Sequence, residues 1–350
     1  MNQSVYWLGI EEKEAWLEWL NKLPSAMNDV YAHPEYVNLH ACQERKSTCF
    51  VFSQGEKIFL YPFLMQKTPF LDSYYDITTA YGYGGPLFNT QDTEFLAAAL
   101  SCFHKQAKER NIVAELIKFN PLLGNHADLE TVFPGNIVPV CNTVFVEIDL
   151  DEEIRWTEEY TAANRKSINK AKRNEVTVRF TQDEENWKQF DRLYAETMKF
   201  NKAAGFYFFS SEYFQNIRDD LAQNYTLSTA IVGGKVGASM ILLHSRELAY
   251  CHLIGTDKAY QKIGINNYLH HQCIEWCKEK GIRRLLIGGG RTNDDDDSLL
   301  KFKKSFSKQQ LLFHAGEHVL NELIYRELCK LRNQNASEPI NSNKLFKYRL

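Results

Sequence analysis

The sequence predicts an α/β protein with mixed sheets, built from two copies of one unit. Two observations carry this. The first is a repeated element order: three antiparallel strands, a helix, then a strand. The second is a matched junction, KERNIVAELI (108–117) beside KEKGIRRLLI (278–287), each ending a helix and starting a strand. One short match arises easily by chance, but the same order around two matching junctions signals a duplication.

In the second copy, TLSTAIV (226–232) is β-branched and bounded by turn residues, which predicts a strand. GGK (233–235) turns the chain into VGASMILLH (236–244), and LAYCHLIG (248–255) follows as a third strand. In YQKIGINNYLHHQCIEWCKEKG (260–281), Ile263, Asn267, His270, Ile274 and Cys277 recur at helical steps, and Gly281 supplies a C-cap. IRRLLIGG (282–289) completes the unit as a strand. In the first copy, TCFVFS (48–53), KIFLYPFLM (57–65) and DSYYDITTA (72–80) are the strands, with GEK (55–57) mirroring GGK. TEFLAAALSCFHKQAKER (93–110) is the helix and NIVAELIKF (111–119) the closing strand. One or two helices over 152–174, a strand at 175–180 and a helix at 185–200 join the copies. The expected division is 1–150, 151–330 and a polar, frayed tail over 331–350.

At 350 residues with 44% hydrophobic and 24% charged residues, the chain can bury a sizeable core. Its net charge of −3 gives no general attraction for DNA, so any basic surface must be local. The start MNQSVYWLGIEEKEAW lacks the basic and apolar regions of a secretory signal. No apolar run approaches the ~20 residues of a membrane span. The eight cysteines form no C-x-x-C pair, so reduced thiols and a cytoplasmic location are expected.

Four stretches, AYGYGGPLF (80–88), YTAANRKSINKAKRNEVTVRF (160–180), FYFFSSEYFQNI (206–217) and GGGRTNDDDDSLLKFKKSF (288–306), together resemble the FemAB-like and BioF2-like branch of the GNAT acyl-CoA N-acyltransferases. The resemblance covers roughly residues 30–310. It implies two tandem GNAT-like units and transfer of an acyl or aminoacyl group to an amine on a cell-envelope precursor. The acceptor would be a glycan, an amino sugar or a peptidoglycan precursor, possibly lipid-linked, met at the inner membrane face. The co-substrate would be acyl-CoA or aminoacyl-tRNA, with no tightly bound cofactor. Phe302 and Lys303 fall where the family carries a Phe-Lys dipeptide whose lysine is associated with the reacting carbonyl.

Acyl-CoA-dependent relatives carry a Q/R-x-x-G-x-G/A loop at a helix N-terminus, where exposed N–H groups hold a pyrophosphate. QKIGIN (261–266) supplies Gln261 and Gly264, but Asn266 replaces the last small residue, which leaves the donor open. Gly288, Gly289 and Gly290 let the chain leave a strand end close to a ligand, with Arg291 following toward the substrate. No P-loop or EF-hand pattern accompanies them. The run Asp294–Asp297 is expected to be a solvated loop in which Asp297 or Ser298 caps the next helix.

Arg165, Lys166 and Lys170, with Lys172 and Arg173 beyond, form a basic stripe for phosphates of a lipid carrier, a nucleotide sugar or a tRNA end. Tyr81 and Tyr83, set among glycines, are placed to stack on a sugar or adenine ring. GFYFFSSEYF (205–214) either walls the same pocket or supplies core. His252, which shares a strand face with Tyr250, is the candidate general base, with Glu275 or a substrate phosphate as alternatives. HAGEH (314–318) fits the H-x-x-E-H pattern of inverted zinc peptidases, but Gly316 and a strand-like setting argue against it, and no metal is expected. The rival reading of the whole is a non-catalytic GNAT-fold module that binds an envelope precursor or RNA.

Overall fold

A computed structural model describes residues 3–292, 294, 296–335 and 344–350. Asp295, within the aspartate run, and 336–343, within the expected polar tail, lie outside the described residues. The chain divides into two units, Met1–Val140 with Phe313–Leu350, and Cys141–Leu312.

In the first unit, Gln3–Leu8, Arg45–Gln54, Lys57–Lys67 and Tyr75–Thr78 pair antiparallel in that order. Ile112–Lys118 then joins Tyr75–Thr78 in parallel. A parallel step needs a crossover, and helix Thr93–Glu109 provides it. The Asp92 carboxylate accepts the amides of Glu94 and Phe95 to start that helix. Its apolar face buries Phe95, Leu96, Ala99, Leu100, Phe103 and Ala107.

The second unit repeats the plan. Thr177–Thr181, Tyr225–Val232, Lys235–His244 and Leu248–Thr256 pair antiparallel. Arg284–Gly289 joins the last of these in parallel, across helix Ile265–Glu279. That helix buries Ile265, Leu269, Cys273, Ile274 and Cys277 against the sheet. The expected duplication is therefore present as two units of one topology.

Three features differ from the expected elements. Each unit's last strand comes from outside the repeat: residues 315–319 pair antiparallel with 114–118, and 143–147 with 284–289. The second unit accordingly starts near 141 rather than 151, and the segment after 312 belongs to the first unit. The helix expected over 260–281 is two helices, Lys258–Gln261 and Ile265–Glu279, because Gly264 adopts a left-handed φ of +83°. The described end of the tail is anchored rather than frayed. Tyr348 is 1% exposed and donates its hydroxyl to the buried Asp76 carboxylate at 3.1 Å, while Arg349 Nε pairs with the same oxygen at 2.8 Å. A buried carboxylate requires such partners.

Candidate active site in the second unit

The parallel pairing of Leu248–Thr256 with Arg284–Gly289 lasts three residues, ending at Tyr250 opposite Leu286. Two bulges flank this point. His252 is the extra residue against Lys235–His244, where Ile241 faces Leu253 and Leu242 faces Cys251. Ile287 is skipped against the 143–147 strand, and Gly288 there takes φ +92°. Only glycine enters that conformation at no steric cost, and bulges re-aim the strands that carry them. Beyond Tyr250 and Leu286 lies a cavity of about 480 Å³, lined among others by His252, Gln261, Asn266, His270, Phe302 and Lys303.

One carboxylate fixes the lysine. Asp297 caps helix Ser298–Lys304 by accepting the amide of Leu300 at 2.8 Å, so the expected capping role holds. Its other oxygen accepts the amides of Arg291 at 3.0 Å and Thr292 at 3.2 Å, tying the glycine-rich stretch to the helix. Lys303 then reaches back and donates to the Gly289 carbonyl at 2.7 Å. Burial pulls its ammonium down to about 8, opposed only in part by the nearby Cys251, Cys141 and Asp297.

Two imidazoles line the same cavity. His252 Nε2 lies 2.9 Å from the Tyr213 hydroxyl, and burial lowers its basicity to about 3. His270 was visible in the sequence only as a helix-periodic position. Its Nδ1 lies 2.8 Å from the Asn266 carbonyl oxygen. A carbonyl can only accept, so Nδ1 carries the proton and Nε2 keeps a lone pair. Its ring packs edge-on to Phe302 at 5.2 Å and stacks on Phe306 at 5.3 Å. Burial, with the charge of Lys303, pushes it down to about 4. Both histidines are thus neutral at physiological pH.

These shifts set a pH dependence for stability. His252, His270 and His271, the last also lowered to about 4, bind protons in the unfolded chain from about 6.5 downward but not in the folded one. Stability is present above that value and is lost as pH falls toward 4. The melting temperature is therefore expected to fall steadily from neutral pH to about pH 4, as thermal melts across that range would show.

The donor loop is more enclosed than an open phosphate cradle. Gly264 caps Ile265–Glu279, whose first intrahelical bond runs from the Tyr268 amide to the Gly264 carbonyl. A Cβ on Gly264 would lie 2.3 Å from the Ser167 carbonyl oxygen, so helix Ala162–Arg173 packs directly over the loop. Asn266 does not project freely, because its Oδ1 accepts the Thr256 hydroxyl at 2.9 Å.

Two cations of the basic stripe, Arg165 and Lys170, are engaged by backbone carbonyls. The Arg165 guanidinium donates to the carbonyls of Trp156 at 3.0 Å and Thr157 at 3.2 Å, and also to Tyr160, so it holds its own chain instead of facing a ligand. Lys170 donates to the Lys262 carbonyl at 2.8 Å. Lys166 stays exposed. Arg291 is exposed and donates to Asn201 at 3.2 Å. Glu275 pairs with Arg155 at 3.5 Å and does not line the cavity, which removes it as a base. Within the 205–214 segment, Tyr213 and Phe214 are buried, and Tyr213 orients His252.

Tyr81 and Tyr83 belong to the first unit, and the cavity just described is formed wholly by the second. The Tyr81 carbonyl accepts the Tyr36 hydroxyl at 2.7 Å, and the Tyr83 ring meets Tyr31 at 5.7 Å and Phe313 at 5.3 Å. The cavity beside Tyr83 holds about 10 Å³, room for one water. Both tyrosine side chains are half-buried.

Residues 161–330 match the family model of the acetyltransferase (GNAT) domain. That match spans just under half of the chain and lies mostly in the second unit. No curated protein matches the chain in sequence. Among solved structures, FemX is similar over 93% of this chain and 99% of its own, at 14% identity and a TM-score of 0.72. L-PGS from Bacillus licheniformis is similar over 87% and 90%, at 14% identity and 0.58. A protein of unknown function from Bacteroides thetaiotaomicron VPI-5482 follows at 89% and 97%, 12% identity and 0.57. The likeness to FemX is one of fold: the two-unit α/β architecture implied by the four sequence stretches is the one this chain adopts.

Proposed function

We propose that the protein moves an acyl or aminoacyl group from a thioester or tRNA ester to an amine on a cell-envelope glycan, amino sugar or peptidoglycan precursor. The observation that carries this reading is the half-buried Lys303 ammonium held at the Gly289 carbonyl, inside the cavity where the two strands part. A partly desolvated cation fixed at a strand break is suited to an acyl oxygen that gains negative charge. The acceptor nitrogen attacks the acyl carbon, the carbonyl π electrons move to oxygen beside Lys303, and the amine proton passes to His270 Nε2. Collapse expels the donor's thiolate or ribose oxygen, which takes up that proton.

Direct attack fits the cavity better than a covalent intermediate. The thiol lining it, Cys251, is pushed up to about 12 by burial and supplies no thiolate. The sequence resemblance to the FemAB-like branch is what supports a peptidoglycan or lipid-linked acceptor. No helix among the described residues is long and apolar enough to cross a membrane. A lipid-linked acceptor would be met at the inner membrane face.

The donor is tested by titrating the purified protein with acetyl-CoA and following the heat. Saturable micromolar binding assigns QKIGIN to the pyrophosphate of an acyl-CoA. No binding moves the donor to aminoacyl-tRNA, which a charged-tRNA transfer assay then checks. A donor that binds but is never consumed would favour the non-catalytic module.

A further inference from the structure

We propose that the first unit holds a divalent metal ion on His104, Glu115 and His318, a site unrelated to the acyl-transfer cavity. Glu115 is 0% exposed on the strand Ile112–Lys118. Burying a carboxylate costs several kcal/mol unless charge and hydrogen bonds compensate it. Two elements bring imidazoles to it. His104 comes from helix Thr93–Glu109, and His318 is the cross-strand partner of Glu115 in the 310–319 strand. His104 Nε2 lies 2.5 Å and His318 Nδ1 3.0 Å from one oxygen, Oε1, and the three ligand atoms fall within 4.8 Å of one another. The second oxygen accepts the hydroxyl of Tyr61, which is itself fully buried, at 3.3 Å.

The cluster sits beside the rings of Phe103 and Phe133, which leave the Glu115 charge to be offset by its own partners. A divalent ion would offset it. Two imidazoles and a carboxylate are a donor set that suits zinc, with the remaining position open. Bonds of about 2.0–2.2 Å place tetrahedral ligands about 3.3 Å apart, so the two contacts to Oε1 need to open by less than about 1 Å, and the two imidazole nitrogens, within 4.8 Å of each other, need to close by no more than about 1.5 Å. Tyr61 would serve as the outer partner that orients the carboxylate. An entry path exists: a cavity of about 480 Å³ is lined by His104 and His318 together with Ser101, Lys105 and Lys108. Its lysines favour water or an anion as the fourth ligand.

This departs from the sequence expectation of no metal. It does not restore the H-x-x-E-H reading, because only His318 of that stretch takes part. His314 instead stacks on His126 at 3.8 Å. The other two ligands lie about 200 residues earlier, at no recognisable spacing.

The test is a calorimetric titration of the untagged, chelator-treated full chain with zinc chloride, repeated with cobalt(II) under visible spectroscopy. One equivalent of zinc and d–d absorption from bound cobalt are expected. His318→Ala should weaken binding by more than roughly 100-fold and Tyr61→Phe by about 10–100-fold, the cost of an outer partner. Where His318→Ala does not fold, Glu115→Gln, which keeps the side-chain shape, is read instead. A wild-type chain that takes up no stoichiometric zinc, or variants that bind it as tightly as wild type, would overturn the site and leave a proton-sharing His–Glu–His cluster.

Discussion

Lys303→Ala is expected to lower kcat roughly 10²–10³-fold, the usual loss when one donor to a developing oxyanion is removed. The donor KM should change little, because the ammonium is worth most after charge has moved onto the acyl oxygen. The fold should survive. Burial already depresses the Lys303 ammonium to about 8, so the folded environment disfavours its charge, and deleting it removes a desolvation cost along with one hydrogen bond to Gly289. Lys303→Met keeps the packing of the stem and should lose the same activity. The titration gives an independent readout. The ammonium is present below about pH 8 and lost above it, so the wild-type rate should fall as pH rises through that value, and this limb should vanish in Lys303→Met. Full activity in either variant would remove Lys303 from the chemistry.

His270→Gln should cost about 10²–10⁴-fold in kcat, the range for loss of a positioned base. Glutamine conserves polarity and much of the volume but takes no proton. A base held down to about 4 looks weak at first sight. Part of that depression comes from the Lys303 charge, however, and an oxyanion forming beside Lys303 cancels it. The imidazole gains basicity as the amine proton must leave. Below about pH 4 His270 is protonated, so the rate should also fall on the acid side. His252→Gln separates the two histidines. His252 is already engaged with Tyr213, and its loss should disturb the bulge more than the proton transfer. If His252→Gln abolishes turnover while His270→Gln does not, the roles are exchanged.

The fold was legible because a duplicated hydrophobic pattern repeats at long range, and each copy carries its own turn and junction signals. What stayed hidden is what pattern does not encode. The 310–319 and 136–147 strands are assigned to units by pairing partners far away in sequence, and no local signal reports a partner. The short helical break before Gly264 follows from a left-handed φ and the nearby Ser167 carbonyl, a tertiary contact. At the site, Lys303 was legible through the Phe-Lys dipeptide and not from its own surroundings in sequence. Asp297 could be read as a cap, but its second grip on Arg291 and Thr292 could not. His270 was hidden by its regular helical spacing. Only the Asn266 carbonyl opposite Nδ1 distinguishes it from a packed core histidine. Arg165 shows the converse error: a charge run suggests a ligand, while three nearby carbonyls already hold its guanidinium.

The most direct measurement follows labelled acyl groups from acetyl-CoA and from a mixed pool of aminoacyl-tRNA into an envelope-precursor extract, with wild type and Lys303→Met side by side. Label reaching an amine of the precursor with wild type, and roughly 10²-fold or more slower with the variant, is the result expected of an acyl-transfer site built around Lys303. Wild-type protein that moves label from neither donor, or a variant that moves it equally fast, would contradict that site.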